Sequence, residues 1–375
     1  MKRSLLLFVI IGLLVLGSSL ALAEDDVIKV GIFEPMTGPF AVGGEISMQG
    51  YKLAQMQNPT VLGKKVEFVV VDNKSDKVEA ANAVAKLVEK DKVVAILGSY
   101  SSGLTMPGGE VADKAGIPLL TATATNPLVT AGKEYVFRAC FIDPFQGSAL
   151  AKYTFEDLNI KKAALLVDVA QDYSVGLANF YKKTYTKLGG EIVSDLKYQT
   201  GDQDFSAQLT EIISSGAEAL FFPGYFGDVA LIAIQGRELG FEGVYMGGDT
   251  LDNPKLIEIA KEYAEGVVAT TFYHPEAPAT TQESIDFVES FKEEYEEDPN
   301  AVSVMTYDAY NLLLDAIEKA GSTDPDAIKD ALSETKEFVG AGGTILIDEN
   351  NNAIRPAVAV KVIDGVFHYE TTINP

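Results

Sequence analysis

The chain has 375 residues, with 54 acidic against 30 basic side chains and a formal net charge of −24. Hydrophobic residues make up 47% of it, which provides a sizeable core and excludes a disordered chain. So negative a surface argues against nucleic acid as a partner, because binding to phosphates depends on lysine and arginine. Cys140 is the only cysteine, and the two histidines, His274 and His368, lie far apart in sequence. An internal disulfide is therefore excluded, and we expect neither a multi-histidine metal site nor a cofactor.

The first 23 residues have the order of a secretory signal peptide. Lys2-Arg3 is followed by an apolar run from Leu5 to Leu16 and then by Ala21-Leu22-Ala23. We predict cleavage after Ala23, which makes the mature protein periplasmic or otherwise extracytoplasmic. A retained membrane anchor is the alternative, but the continuous apolar run is shorter than the ~20 residues that span a bilayer. No cysteine follows this run, so a lipid anchor is not expected.

Short apolar runs alternate with amphipathic stretches from Val27 to Leu120. This alternation is typical of a parallel, doubly wound sheet covered by helices. The predicted strands are 27–33, 66–71, 93–97 and 117–120, and the predicted helices are 45–57, 77–90 and 104–115.

The same alternation begins again after Asp143-Pro144, which predicts a second α/β lobe. The predicted strands are 163–167, 191–193, 219–222 and 244–246, and the predicted helices are 175–188, 205–214 and 229–239. From about Thr270 the chain has two further predicted helices, 282–297 and 302–320, and a strand-rich end. We expect this remainder to complete the two lobes.

Hydroxyl-rich segments follow two strands of the first unit, where ligands bind in open parallel sheets. Ser102 lies in the glycine-flanked segment 98–103 before a helix, and this helix start can bind a carboxylate without an arginine. Thr123 and Thr125 alternate along the segment after the strand that ends at Leu120. The alternatives are that a serine only caps the helix and that the threonines only end a strand.

Aromatic and acidic turns follow the strands of the second unit. Tyr173, Tyr225 and Asp249 each lie near a glycine in such a turn. Asp249 is either a turn residue or, in a cleft, the negative charge that an ammonium group requires. One wall suited to a carboxylate and one suited to an ammonium predict a zwitterionic ligand, a free amino acid. Neither histidine falls in these turns and no G-x-S-x-G motif occurs, so catalysis is not expected.

The ordered set of motifs resembles the periplasmic leucine/isoleucine/valine-binding protein family, the substrate-binding components of branched-chain amino-acid ABC transporters. The motifs are Met36-Thr37-Gly38-Pro39, Gly98 to Ser102, Thr125-Asn126-Pro127, Asp172-Tyr173, Gly224-Tyr225 and Tyr307-Asp308-Ala309-Tyr310. The resemblance implies a two-lobed α/β fold of the type I periplasmic binding protein class. Each lobe is then a doubly wound, mostly parallel sheet flanked by helices, and three crossover segments form the hinge. The expected limits are 24–142 plus 272–350 for lobe 1 and 143–271 plus 351–375 for lobe 2.

The resemblance also implies roles for individual residues. Ser102 corresponds to the family's carboxylate-binding serine, and Thr125 to its threonine that contacts both carboxylate and ammonium. Thr123 falls where the family offers backbone groups to the ligand. Tyr173 and Tyr225 correspond to the cleft tyrosines of the second lobe.

Three positions depart from the pattern of the leucine-binding members. Asp249 stands where they carry a glutamate as the counter-ion of the ammonium, and its side chain is one methylene shorter. Gly43 falls where they place a tyrosine over the ligand side chain, and Val302 where they place a phenylalanine. We expect both changes to enlarge the side-chain pocket, so that a bulkier or differently shaped amino acid than leucine is a candidate ligand.

These features together predict a monomeric solute-binding protein. It would close around a free amino acid, with a branched-chain or other apolar side chain favoured, and deliver it to the membrane permease of an ABC transporter. The alternatives are a binding protein of the same family for an amide, urea or aromatic acid, an exported hydrolase, and a sensory module that acts on a separate membrane receptor.

Overall fold

A computed structural model of the protein describes residues 27–278 and 281–375. The predicted signal peptide, residues 1–23, lies outside the described residues. Over the described ranges, no helix is both long enough and apolar enough to cross a membrane.

The first sheet is built from strands of the amino-terminal part of the chain, in the order β2-β3-β1-β4-β5-β6. Neighbouring strands are parallel, except that β2 and β3 form an antiparallel hairpin. Its strands are β1 (Val27–Glu34), β2 (Thr60–Val61), β3 (Lys64–Asp72), β4 (Ala95–Leu97), β5 (Leu119–Thr121) and β6 (Val136–Arg138). Strands β4, β5 and β6 are buried along their whole length, as expected for a parallel sheet with helices on both faces.

The second sheet has the order β16-β15-β11-β10-β9-β7-β8. It is parallel from β8 to β11, and its other edge is antiparallel. The strands are β7 (Lys162–Asp168), β8 (Glu191–Tyr198), β9 (Ala219–Phe221), β10 (Val244–Gly247), β11 (Val268–Thr271), β15 (Ala357–Ile363) and β16 (Val366–Ile373). A small antiparallel sheet consists of β12 (Phe338–Gly340), β13 (Gly343–Ile347) and β14 (Ala353–Ile354).

Helices follow most of the strands. They are α1 (Ala41–Gln57), α2 (Lys77–Lys86), α3 (Ser102–Ala115), α4 (Asp143–Lys152), α5 (Asp172–Lys187), α6 (Ser206–Ser214), α7 (Phe226–Glu238), α8 (Pro254–Ala260), α9 (Gln282–Tyr295), α10 (Ala301–Ala320) and α11 (Pro325–Ser333). The helices α2 and α4 each continue into a π-helical turn, at Leu87–Asp91 and Tyr153–Asp157.

Helices α9 and α10 belong to the core of the first sheet. Phe287, Phe291 and Met305 are buried in the same hydrophobic cluster as Ile28 of β1. Helix α10 also lies directly on α1, where a Cβ at Gly50 would come within 2.1 Å of the Ser303 carbonyl. This close approach requires a glycine, so helices from both ends of the chain complete the first lobe.

The chain passes between the two sheets through three connections. These are the segment from β6 to α4, the segment from β11 to α9, and the short link from β14 to β15. Two mostly parallel sheets flanked by helices confirm the predicted two-lobed α/β fold. The residue limits of the lobes given above stay predictions.

The sequence missed some elements and misplaced the start of others. Helix α1 begins at Ala41 and α3 at Ser102, earlier than predicted, because their first turns contain glycine and small residues rather than a periodic apolar face. Helix α4 was not predicted at all, since its Asp143-Pro144 start resembles a loop. Cys140 is buried and unpaired, as expected for a small core residue.

Candidate functional site

The six predicted site residues lie at the carboxyl ends of parallel strands. Ser102 starts α3 after β4, and Thr123 and Thr125 follow β5. In the second lobe, Tyr173 lies in the first turn of α5 after β7, and the other two are Tyr225, directly before α7, and Asp249, after β10. All six are buried. Their positions match the general rule for ligand sites in open α/β sheets.

The start of helix α3 forms the first wall of the cleft. Ser101 occupies the N-cap position with extended backbone angles, yet within the described chain its hydroxyl makes no capping hydrogen bond. Ser102 Oγ accepts a hydrogen bond from the Asn126 backbone N–H at 3.2 Å. The alternative that a serine hydroxyl simply caps the helix is therefore wrong. The first backbone N–H groups of the helix, which have no intrahelical acceptor, remain suited to an anion.

The threonine segment does not present all its hydroxyls to the cleft. Thr121 Oγ1 donates to the Ser99 carbonyl at 3.2 Å, and Thr123 Oγ1 donates to the Tyr100 carbonyl at 2.9 Å. Thr125 Oγ1 is buried and has no partner among the described residues. Thr125 is therefore the one of these three whose hydroxyl is not already committed.

Asp249 is the centre of the second wall. Its Oδ1 accepts hydrogen bonds from Tyr173 Oη at 3.0 Å and from Gln146 Nε2 at 2.8 Å. Burial raises the pKa of Asp249 to about 6, and the bonds from Gln146 and Tyr173 oppose this shift. The nearby Thr250 hydroxyl is bonded to the Gly224 carbonyl at 2.5 Å. Asp249 is thus a buried, oriented carboxylate rather than an exposed turn residue.

Aromatic rings from both lobes meet beside Asp249. The Tyr225 ring lies 4.5 Å from that of Phe40, 5.9 Å from Tyr100 and 5.7 Å from Tyr173, measured between centroids. Phe40 and Tyr100 belong to the first lobe and were not predicted as site residues. Their contact with Tyr225 forms an apolar region across the cleft.

The expected enlargement of the pocket at Gly43 is wrong. A Cβ added at Gly43 would lie 2.4 Å from Cε1 of Tyr100, so the ring of Tyr100 already occupies that space. Val302 is buried in the same hydrophobic cluster as Tyr100 and Tyr225.

The two lobes are in contact at the cleft. Lys77 Nζ of the first lobe lies 2.6 Å from Asp172 Oδ2 of the second. Asn126 Nδ2 donates to the Asp172 carbonyl at 2.9 Å. The structure therefore shows the lobes in a closed arrangement.

Several buried polar atoms around the cleft have no hydrogen-bond partner within residues 27–278 and 281–375. They belong to Ser101, Thr125, Asp143, Gln146 and Ser174. A buried polar group without a partner costs about 1–3 kcal/mol. Such a group of atoms from both lobes is suited to a polar ligand, which would supply the missing bonds.

Replacing Lys77 with glutamine is expected to weaken ligand binding only slightly, by at most about fivefold, because exposed ion pairs contribute 0.2–1 kcal/mol. Titration calorimetry at low and high salt measures this effect, which should disappear in high salt. The control is Lys74→Gln, which removes a similarly exposed ion pair to Glu79 within the first lobe. Equal losses from the two variants would show that Lys77–Asp172 does not help to close the lobes.

Two α/β lobes that meet around a buried carboxylate, hydroxyl groups and aromatic rings are typical of bilobed solute-binding proteins. The model of the family described as periplasmic binding protein matches residues 27–366. The chain belongs to this family, which implies an extracytoplasmic location. It is a family of binding proteins.

The relatives of this chain support the resemblance to leucine/isoleucine/valine-binding proteins. The leucine-, isoleucine-, valine-, threonine- and alanine-binding protein of Pseudomonas aeruginosa is 30% identical over 332 residues, which cover 87% of each chain. The crystal structure of the leucine-binding protein LivK from Thermotoga maritima has a TM-score of 0.91 and 44% identity, and the match covers 93% of this chain and 99% of that one. The branched-chain amino acid transporter substrate-binding protein LivJ from Streptococcus pneumoniae, in complex with isoleucine, has a TM-score of 0.88 and 31% identity over 93% of this chain and 100% of that one. The predicted resemblance is confirmed.

Sequence reasoning missed three features of the site. Gln146 was not considered because helix α4 was not predicted. Phe40 and Tyr100 lie in glycine-containing segments whose sequence indicates polar contacts and gives no sign of an aromatic one. The spacing of Gln146 three residues after Asp143 was the available signal, since residues three apart share a helix face.

Proposed function

We propose that this protein captures a free amino acid with a branched-chain or other apolar side chain and delivers it to the permease of an ABC transporter. Ser102, Thr125 and the start of α3 would bind the carboxylate. Asp249, held by Tyr173 and Gln146, would bind the ammonium. The rings of Phe40, Tyr100 and Tyr225 would contact the side chain of the ligand.

The observation that carries the proposal is the buried Asp249 facing an apolar, hydroxyl-rich cleft. A buried carboxylate is costly unless a positive group meets it. Two basic side chains near the cleft bind other groups. Lys77 pairs with Asp172, and Arg138 donates to the carbonyls of Ala124 and Asn126. A cation on the ligand is therefore the simplest partner for Asp249. The Pseudomonas aeruginosa relative named as a leucine-, isoleucine-, valine-, threonine- and alanine-binding protein and the LivJ structure in complex with isoleucine support the same conclusion.

Isothermal titration of the mature protein against a panel of ligands tests the proposal. We expect leucine, isoleucine or valine to bind more tightly than about millimolar, which corresponds to ~4 kcal/mol. Isopentylamine and 4-methylpentanoate, which each lack one charged group of leucine, should bind far more weakly. Benzoate and urea represent the alternative ligands of the family. If one of these binds and no amino acid does, the proposed ligand class is wrong.

A further inference from the structure

The cleft contains a second buried carboxylate, Asp143, which was not among the predicted site residues. Asp143 is the first residue of α4, directly after the first connection between the two lobes. It is fully buried, and over the described ranges neither of its carboxylate oxygens has a hydrogen-bond partner. An aspartate in this state lacks the donors that a buried carboxylate requires.

Asp143 contacts both walls of the cleft. Its backbone N–H donates to the Thr125 carbonyl at 3.0 Å, so it is joined to the residue whose hydroxyl is uncommitted. Its Oδ2 lies 3.7 Å from the position of a Cβ added at Gly176, one turn after Tyr173 on α5. The carboxylate of Asp143 is therefore located between the threonine segment and the start of α5.

The same turn of α4 connects Asp143 with the counter-ion described above. Gln146 follows three residues later, so the two side chains share one helix face. Gln146 Nε2 bonds to Asp249 Oδ1 and to Thr270 Oγ1, both at 2.8 Å, while its Oε1 is buried without a partner. The first turn of α4 thus carries two side chains with unbonded acceptor oxygens, Asp143 and Gln146, and Gln146 is bonded to Asp249.

The protein does not neutralise Asp143 by a direct bond. Arg138 is buried nearby, but its Nη atoms donate to the carbonyls of Ala124 and Asn126 and to the Thr130 hydroxyl. The Thr125 hydroxyl is close enough to Asp143 for a weak hydrogen bond that lowers the pKa of Asp143, although the pair does not reach full hydrogen-bond geometry. An occupant of the cleft with N–H groups would supply the donors that Asp143 lacks.

We propose that Asp143 binds the ammonium group of the ligand together with Asp249 and Thr125, so that the ammonium lies between two carboxylates. This inference rests on the proposed function, namely that the ligand is an amino acid. It assigns to α4 a direct part in recognition in addition to its place beside the hinge. A second acceptor also accounts for the shorter side chain of Asp249, because the ammonium is then held from two sides.

The raised pKa values of Asp143 and Asp249 agree with this geometry. Burial raises the pKa of Asp143 to about 8, and the Asp249 charge adds to that shift, while Thr125 and Arg138 oppose it. In the closed arrangement without a ligand, Asp143 therefore holds a proton at pH 7. When the ammonium binds, the carboxyl ionises and this proton passes to the solvent. The charged or titratable groups that interact with Asp143 are Arg138, Cys140, Tyr173, Tyr225 and Asp249.

The Asp143→Asn variant tests the proposal by calorimetry with leucine at pH 7 in two buffers of different ionisation enthalpy. We expect the wild type to release protons on binding, and the variant to release fewer and to bind leucine at least tenfold more weakly. The ligand-free variant should unfold at the same temperature as the wild type or higher, because the substitution removes a carboxyl without partners. Asp195→Asn is the control, since that carboxylate on β8 is paired with Lys182 and Lys197 outside the cleft and its loss should affect neither readout.

The possible outcomes separate this inference from the proposed function. If the wild type binds no amino acid, the proposed function fails before the variant is compared. If the wild type binds leucine without releasing protons, or if Asp143→Asn changes neither affinity nor proton release, the role of Asp143 is overturned. A variant that fails to fold also overturns it, because Asp143 would then be a structural residue with partners of its own.

Discussion

Replacing Asp249 with asparagine is expected to weaken leucine binding by about 100-fold (~2.7 kcal/mol). The carboxylate is buried and oriented by Tyr173 and Gln146, so its loss leaves the ammonium of the ligand buried with less opposing charge. Titration calorimetry measures the loss directly. The asparagine keeps the size of the side chain, so the result reports on charge rather than on packing.

The matched control for this variant is Glu294→Gln. Glu294 is exposed on α9, within the acidic run from Glu293 to Asp298, and its replacement removes the same unit of charge. We expect leucine affinity to stay within about threefold, because exposed charges contribute little. Similar losses from the two variants would mean that Asp249 acts through the overall negative field of the protein and not as a counter-ion.

The pH dependence of binding follows from the same carboxylate. Its pKa is raised to about 6 by burial, and only the ionised form attracts an ammonium group. Leucine affinity of the wild type should therefore fall below pH 8, where Asp143 takes up a proton, and fall more steeply below pH 6, where Asp249 also does. Asp249→Asn should lose only the steeper part below pH 6.

Replacing Tyr225 with alanine is expected to weaken leucine binding by about 30-fold (~2 kcal/mol), as for an aromatic residue at the centre of an interface. Its ring contacts Phe40 and Tyr100 of the opposite lobe, so the alanine variant loses apolar contact with the ligand and contact between the lobes. Calorimetry gives the affinity, and small-angle X-ray scattering with and without leucine gives the change in radius of gyration on closure.

Tyr225→Phe separates the ring from its hydroxyl group. We expect this variant to bind leucine within about threefold of the wild type, because the ring contacts are retained. A loss as large as that of the alanine variant would contradict the assigned role and would indicate that the hydroxyl group carries the interaction.

The sequence allowed the architecture to be predicted because unbroken apolar runs such as 93–97 indicate buried parallel strands. It also placed the site, because glycine turns with polar side chains occur where those strands end. Asp249 and Tyr173 were selected in this way, and they are bonded to each other. Their roles in binding stay predictions.

What the sequence did not reveal depends on contacts between segments far apart in the chain. Tyr100 fills the space beside Gly43, which no local pattern reports, and so the predicted larger pocket was wrong. Asp143 and Gln146 became visible only with helix α4 in place. The unused hydroxyl of Thr125 could not be distinguished from that of Thr123 until their partners were known.

The order of strands in the second sheet has a consequence for how the chain folds. Strand β11 is completed on one side by β15 and β16, which come from the last 20 or so residues, and the core of the first lobe requires α9 and α10. Neither lobe can therefore reach its full core during synthesis until almost the entire polypeptide has been made. Such long-range contacts slow folding, and until they form β11 remains an open edge. A chain emerging from the ribosome therefore lacks a complete core in either lobe for most of its synthesis.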